Sequence, residues 1–211
     1  MDITVENLYD EKGIFIQNER IVMRKCLDSD RTDYLGLCRD VTRFPEYYDK
    51  YHDDDKEWED VISGRSIIIS IVTGNPERYV GYVNLFNLQQ DTLEIGINLK
   101  REFRRQGYGT QAIGETLKEL HKKYGINIMK AEIYEDNTAS IKLFEKFGTV
   151  EKVDPDPVSL VLDDIKEKMG ADEINRLKEA VPLVFDPKSR VRIVWYRIDI
   201  TEMTDSKQFG L

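Results

Sequence analysis

The sequence predicts an α+β fold of mixed α/β character: one twisted mixed sheet flanked by helices, with a helical insertion before the last strand. Three observations predict it. Residues 92–99 alternate cleanly, with Leu93, Ile95, Ile97 and Leu99 on one face and Glu94, Gly96 and Asn98 on the other. Further on, Ile113, Leu117, Leu120 and Tyr124 recur at the spacing of a buried helical stripe. The elements around these two read in the order βααβββαβα, which closes around a single sheet. A length of 211 residues suits one domain, 1–211, with residues 1–18 as an N-terminal arm.

Taken in order, the arm is polar and carries a short extended piece at Ile14-Phe15-Ile16. Residues 21–26 read as a strand, and Leu27-Asp28-Ser29-Asp30 caps a helix running to about Arg39. Phe44-Pro45-Glu46 opens a second helical stretch, acidic outside, that lasts to about Ser63. Residues 67–73 form a β-branched strand stopped by Thr73-Gly74-Asn75-Pro76, and residues 79–88 are its hairpin partner. The alternating strand 92–99 follows, then a polar connection over 100–106 and the striped helix, which ends near Gly125. Residues 126–134 form another strand, and Asn137 caps a short helix that Gly148 terminates. Residues 154–190 are largely helical by pattern, an insertion whose role the sequence leaves open, before a strongly apolar strand at 191–200.

Composition narrows the function classes. Thirty-one basic and forty acidic residues give a formal charge of -9, which disfavours nucleic acid held through its phosphates. No apolar run approaches the roughly 18–20 residues of a membrane span, and the first residues lack a signal-peptide pattern. Cys26 and Cys38 are the two cysteines, with no CxxC and no histidine cluster, so a reduced cytoplasmic setting without a metal site is expected.

The most informative stretch is Arg104-Arg105-Gln106-Gly107-Tyr108-Gly109-Thr110, which runs directly into the striped helix. Two glycines at this spacing allow a tight turn and close approach of backbone N–H groups to a ligand. The first N–H groups of the helix lack internal partners and lie at the positive end of its dipole. A pyrophosphate could be held there by backbone donors, with Arg104 and Arg105 nearby. Two other readings fit parts of the pattern. Residues 107–112 formally match a GxGxxA dinucleotide fingerprint with Glu132 as its ribose carboxylate, although no buried strand leads directly into it. A helix-start glycine turn with no ligand is the simplest alternative.

The stretch resembles motif A of the GNAT family of N-acetyltransferases, whose pyrophosphate loop reads Arg/Gln-x-x-Gly-x-Gly/Ala; Arg104, Gly107 and Gly109 fill it. The resemblance extends to Leu93-Glu94-Ile95-Gly96-Ile97 upstream, and to Asn137-Thr138-Ala139-Ser140 and Glu145-Lys146-Phe147-Gly148 downstream. Glu19-Arg20-Ile21-Val22-Met23-Arg24 is similar to the first-strand signature of the subgroup containing the ribosomal-protein N-terminal acetyltransferases. The likeness covers roughly residues 19–153 and the last strand.

The resemblance implies that acetyl-CoA lies where two parallel strands, 92–99 and 126–134, splay apart, and that an amine attacks its thioester directly. Backbone groups of Ile97, Asn98 and Leu99 would meet the pantetheine and thioester. Amides of Gln106, Gly107, Tyr108, Gly109 and Thr110 would hold the pyrophosphate, and Asn137 would reach the cofactor arm as well as cap its helix. Glu94 and Glu132 are the candidate bases, and each could instead be a solvated or salt-bridged strand carboxylate. A tyrosine usual seven residues after the motif asparagine is Phe144 here, which leaves Ser140 and Tyr134 as candidate acids for the leaving thiolate.

Acidic residues crowd 49–60, with Asp49, Asp53, Asp54, Asp55, Glu57, Glu59 and Asp60 against Lys50 and Lys56. They suggest a cationic acceptor, or a solvated helix face that aids solubility. Tyr47, Tyr48, Tyr51 and Trp58 could line a pocket or belong to the core. The acceptor is expected to be a peptide or small-molecule amine: a protein N-terminus, or a small cationic amine of polyamine or aminoglycoside type. An acyl-CoA-binding module without chemistry is the rival reading, and a homodimer is a further expectation.

Overall fold

The computed structural model describes residues 3–43, 45–64, 67–88, 92–154, 170–180 and 191–205. They form eight helices: α1 Val5–Leu8, α2 Arg31–Val41, α3 Pro45–Tyr51, α4 Asp54–Ile62, α5 Tyr108–Tyr124, α6 Thr138–Phe144, α7 Ala171–Ala180 and α8 Ile200–Asp205. Eight strands accompany them: β1 Ile14–Gln17, β2 Val22–Lys25, β3 Ile67–Thr73, β4 Arg78–Phe86, β5 Leu93–Leu99, β6 Ile128–Tyr134, β7 Thr149–Asp154 and β8 Ile193–Asp199. The fold is mixed α/β, one mixed open sheet flanked by helices. Among the described residues no helix is long and apolar enough to cross a membrane.

The chain divides into two compact units, residues 1–131 with 197–211, and residues 132–196. In the first unit β1, β2, β3, β4 and β5 form a continuous antiparallel ladder, and β6 joins β5 in parallel. Every residue of β3 is buried. On one face Ile68 and Val72 pack with Tyr34 and Leu37 of α2, Trp58 and Val61 of α4, and Tyr79 and Tyr82 of β4. The predicted stripe of α5 is realised, with Ile113, Leu117 and Leu120 fully buried, while Tyr124 at its end donates its hydroxyl to the Asn7 carbonyl at 2.7 Å. In the second unit β8 lies between β6 and β7.

Several elements differ from the pattern read in the sequence. The stretch expected as one helix to Ser63 is two, because the Asp53 side chain accepts from the Asp55 and Lys56 N–H groups and restarts the helix as α4. Phe103 departs from the polar reading of 100–106: it is buried in a 3-10 turn at Arg101–Phe103, its ring edge-on to Tyr108 at 5.6 Å. The N-terminal stretch is docked through Ile3 and Leu8, both buried. Of the expected insertion at 154–190, Ala171–Ala180 is helical, and residues 155–169 and 181–190 lie outside the described residues.

The entry to α2 is held by a buried charge network. Arg24 donates to both Asp30 oxygens, at 2.7 and 2.9 Å, and reaches Glu77 at 3.2 Å. The Ser70 hydroxyl and the Leu27 N–H complete the Asp30 shell at 2.8 and 3.0 Å. Burial opposes the charge on Asp30, but the donors from Arg24, Leu27 and Ser70 outweigh it and hold its carboxyl below the usual range. A depressed carboxyl contributes stability above its unfolded pKa, and that contribution disappears as pH falls through the folded value. Asp30→Asn should therefore cost about 3 kcal/mol at pH 7, because it leaves the Arg24 charge buried. In acid urea titrations the gap between variant and wild type should shrink as pH falls below about 4.

Candidate active site

Strand β5 is shared unequally between its neighbours. It pairs with β4 from Glu94 opposite Phe86 to Leu99 opposite Gly81. With β6 its pairs are Leu93 with Met129 and Glu94 with Lys130. The Lys100 N–H donates to the Val80 carbonyl at 2.9 Å, which sets the alternation of the antiparallel ladder. Asn98 and Gly96 thus turn their backbone groups toward β4, while Ile97 and Leu99 turn theirs away, beyond the last parallel pair. The Asn98 side chain is also committed, donating to the Tyr82 hydroxyl at 2.8 Å.

The connection to α5 converts this strand end into a turn of exposed donors. Phe103 anchors it, and Arg104 Nε donates to the Leu99 carbonyl at 2.8 Å. Arg105 and Gly107 both adopt left-handed backbone, at φ 59° and 85°. Gly107 is the N-cap of α5, and its carbonyl accepts the first helical bond, from the Gln111 N–H at 3.0 Å. The N–H groups of Tyr108 and Gly109 precede that bond, at the positive end of a 17-residue helix. A Cβ at Gly107 would be strained by its φ and would sit 3.2 Å from Arg20 Nη1. Adjacent N–H donors beside a close-packed glycine fit a diphosphate, and Thr110 continues the same helical turn.

The basic side chains here are mostly engaged. Lys100 bonds Asp33 at 2.8 Å, and Arg104 braces β5. Arg20, read in the sequence as part of a strand signature, is the residue that sequence reasoning missed. It lies on the turn from β1 to β2, donates to the Gln106 carbonyl, and places its guanidinium 4.3 Å from the centre of the Tyr108 ring. Eighty-six residues of separation from Gln106 hide that contact from any local pattern.

The candidate bases and acids fall in different units. Glu94, in the first unit, accepts from Asn87 Nδ2 at 2.6 Å. It shares a sheet face with Asn98, the face toward α2 and α4. Glu132, Tyr134, Asn137 and Ser140 belong to the second unit. Glu132 and Tyr134 are exposed on the same side of β6, opposite buried Met129, Ala131 and Ile133. Asn137 caps α6, its Oδ1 accepting the Ser140 N–H at 3.2 Å. Phe144 is a core residue, packed against the Tyr196 ring at 6.5 Å.

The acidic run is largely spent on the fold. Asp49 pairs with Arg39 and Asp55 with Arg31, Asp53 caps α4, and Glu57 accepts the Tyr34 hydroxyl at 2.8 Å. Trp58 is a core residue, Tyr48 stacks on His52 at 3.8 Å, and Tyr51 is exposed. The side chain of Tyr47 lies outside the described residues. Among the described residues no group of three or more His, Cys, Asp or Glu is placed to hold a metal.

Residues 20–150 match the model of the acetyltransferase (GNAT) domain family. An uncharacterized protein of Methanocaldococcus jannaschii is 30% identical over 151 residues; the match takes in 68% of this chain and 31% of that protein, so the chain spans about a third of its curated relative. A GNAT-family acetyltransferase from Bacillus anthracis superimposes with a TM-score of 0.60 at 18% identity, covering 88% of this chain and 98% of that one. The spermidine N-acetyltransferase of Vibrio cholerae, solved with CoA and spermine, gives 0.63 at 12% identity, covering 89% and 100%. These structural likenesses establish the fold, and the domain match over most of the chain places this protein in the GNAT acetyltransferase family.

Proposed function

We propose that the chain is an acetyl-CoA-dependent N-acetyltransferase that passes the acetyl group to a primary amine in a reduced, cytoplasmic setting. One observation carries this reading: the backbone from Ile97 to Gly109 presents donors on a strand end that has outrun its parallel partner and on the glycine turn that follows. Ile97 and Leu99 would line the pantetheine and thioester, and Gln106 to Thr110 the diphosphate. Asn98, expected to meet the cofactor through its backbone, instead turns its backbone toward β4 and its side chain to Tyr82, so it would brace the strand. Arg104 and Arg105 would add local positive charge. Asn137 would meet the cofactor arm while capping α6.

The amine nitrogen attacks the thioester carbonyl carbon, the new C–N bond replaces the C–S bond, and the amine gives up a proton as the thiolate gains one. A neutral amine is required. An α-amino group is neutral in roughly one molecule in seven at pH 7, a lysine-type amine in only about one in 2,500. Glu94, oriented by Asn87, is the base we favour, with Glu132 the alternative. Ser140 and Tyr134 are the candidate donors to the thiolate, since Phe144 supplies no hydroxyl.

The acceptor is a protein N-terminus or a small cationic amine. The spermidine N-acetyltransferase relative favours the amine of a small polycation, while the internal pairing of the acidic run removes one argument for it. A free-thiol assay with acetyl-CoA against peptide, polyamine and aminoglycoside acceptors tests the proposal: one class should release CoA in an amine-dependent way. Stoichiometric binding with no release by any amine would identify an acyl-CoA-binding module instead.

Two variants probe the parts. Gly107→Ala should raise KM for acetyl-CoA about tenfold, because a left-handed Cβ costs roughly 1–2 kcal/mol, with melting temperature lowered only slightly. Glu94→Gln should lower kcat/KM about a hundredfold near pH 7 and progressively less as pH approaches the pKa of the acceptor. A flat ratio across that range, with Glu132→Gln showing the pH-dependent loss, would transfer the role to Glu132.

A further inference from the structure

Arg20 is held more firmly than a surface arginine on a turn needs to be. Its N–H donates to Asn18 Oδ1 at 3.0 Å, and its carbonyl accepts the Thr73 hydroxyl at 2.7 Å. The same Asn18 oxygen accepts the Ile21 N–H at 3.0 Å and Gln111 Nε2, from the first turn of α5, at 3.2 Å. The turn from β1 to β2 is therefore tied to α5 before the Arg20 side chain is considered. That side chain then lies against Tyr108, its Nη1 beside Gly107 and its Nη2 on the Gln106 carbonyl.

The Gln106 carbonyl and the Gly107 N–H belong to one planar trans peptide, so they point to opposite sides. Whatever holds the carbonyl on one side aims the N–H to the other. Among the described residues the Gly107 N–H has no acceptor. With left-handed residues on both sides of Gln106 the peptide has another orientation within reach, in which the carbonyl would face the ligand and repel an anion. A charged donor on that carbonyl is strong enough to decide between the two.

Resting on the acetyl-CoA reading above, we infer that Arg20 is a positioning residue for the diphosphate of CoA: it fixes the Gln106–Gly107 peptide so that the Gly107 N–H faces the anion. Its charge acts through the loop, and its guanidinium sits over the Tyr108 ring.

The test compares wild type, Arg20→Ala and Arg20→Lys with two donors, acetyl-CoA and S-acetylpantetheine, which lacks the diphosphate. CoA binding is measured by calorimetry. Arg20→Ala should raise KM for acetyl-CoA and Kd for CoA about tenfold or more, the worth of one charge-assisted bond. It should leave kcat at saturation within about twofold and leave KM for S-acetylpantetheine unchanged. Arg20→Lys, which keeps the charge without the planar fork, should fall between. Unchanged CoA affinity in Arg20→Ala would overturn the inference, as would an equal loss with both donors, which marks a general structural role. A wild-type chain that binds no CoA would overturn the acetyl-CoA reading itself and this inference with it.

Discussion

The parallel pairing of β5 with β6 covers Leu93 and Glu94 and then stops, so among the described residues the rest of β5 has a backbone ladder on one side only. Such an end is stable only if the strand is held from its other side. Here the antiparallel ladder with β4 continues to Leu99, and Lys100 adds one more bond to Val80. That ladder rests on β3, buried on both faces, and on β2, whose Arg24 anchors the start of α2 through Asp30. The interior sheet thus serves as the fixed wall against which a few unpaired donors keep their positions.

The same logic shows how an acidic chain could receive the polyanion of the proposed function. A formal charge of -9 repels phosphate at long range, yet screening confines that repulsion to about 10 Å in ordinary salt. At contact distance the N–H groups at the start of α5 and the cations around them dominate. Most nearby cationic side chains have structural duties, Lys100 on Asp33, Arg104 on Leu99 and Arg20 on Gln106. In the proposed acetyl-CoA reading, backbone dipoles oriented by those side chains would do most of the anion recognition.

Many of the carboxylates that colour the composition are likewise structural. Asp49, Asp53, Asp55 and Glu57 each meet a cation, a helix terminus or a hydroxyl within the first unit. Their local density reflects helices short enough to need caps and pairs, since α3 and α4 have seven and nine residues and cannot stand on intrinsic helicity alone. An acidic stretch therefore says less about an acceptor than its charge suggests.

What the sequence by itself determined were the features written in local periodicity and in backbone-special residues. Strand β3 runs over 67–73 as its β-branched run predicts, α5 buries Ile113, Leu117 and Leu120, and Gly107 and Asn137 stand at the helix starts their types favour. Each of these follows from interactions within a few residues. Strand β7, with Val150 and Val153 exposed, has no apolar alternation to announce it, and its place beside β8 exists only by pairing. Tertiary structure alone decided that Phe103 is buried, that the parallel ladder ends at Glu94, and that Arg20 reaches the loop from a distant turn. Those outcomes depend on which segments meet in space, and a contact spanning tens of residues leaves no spacing in the chain by which to read it.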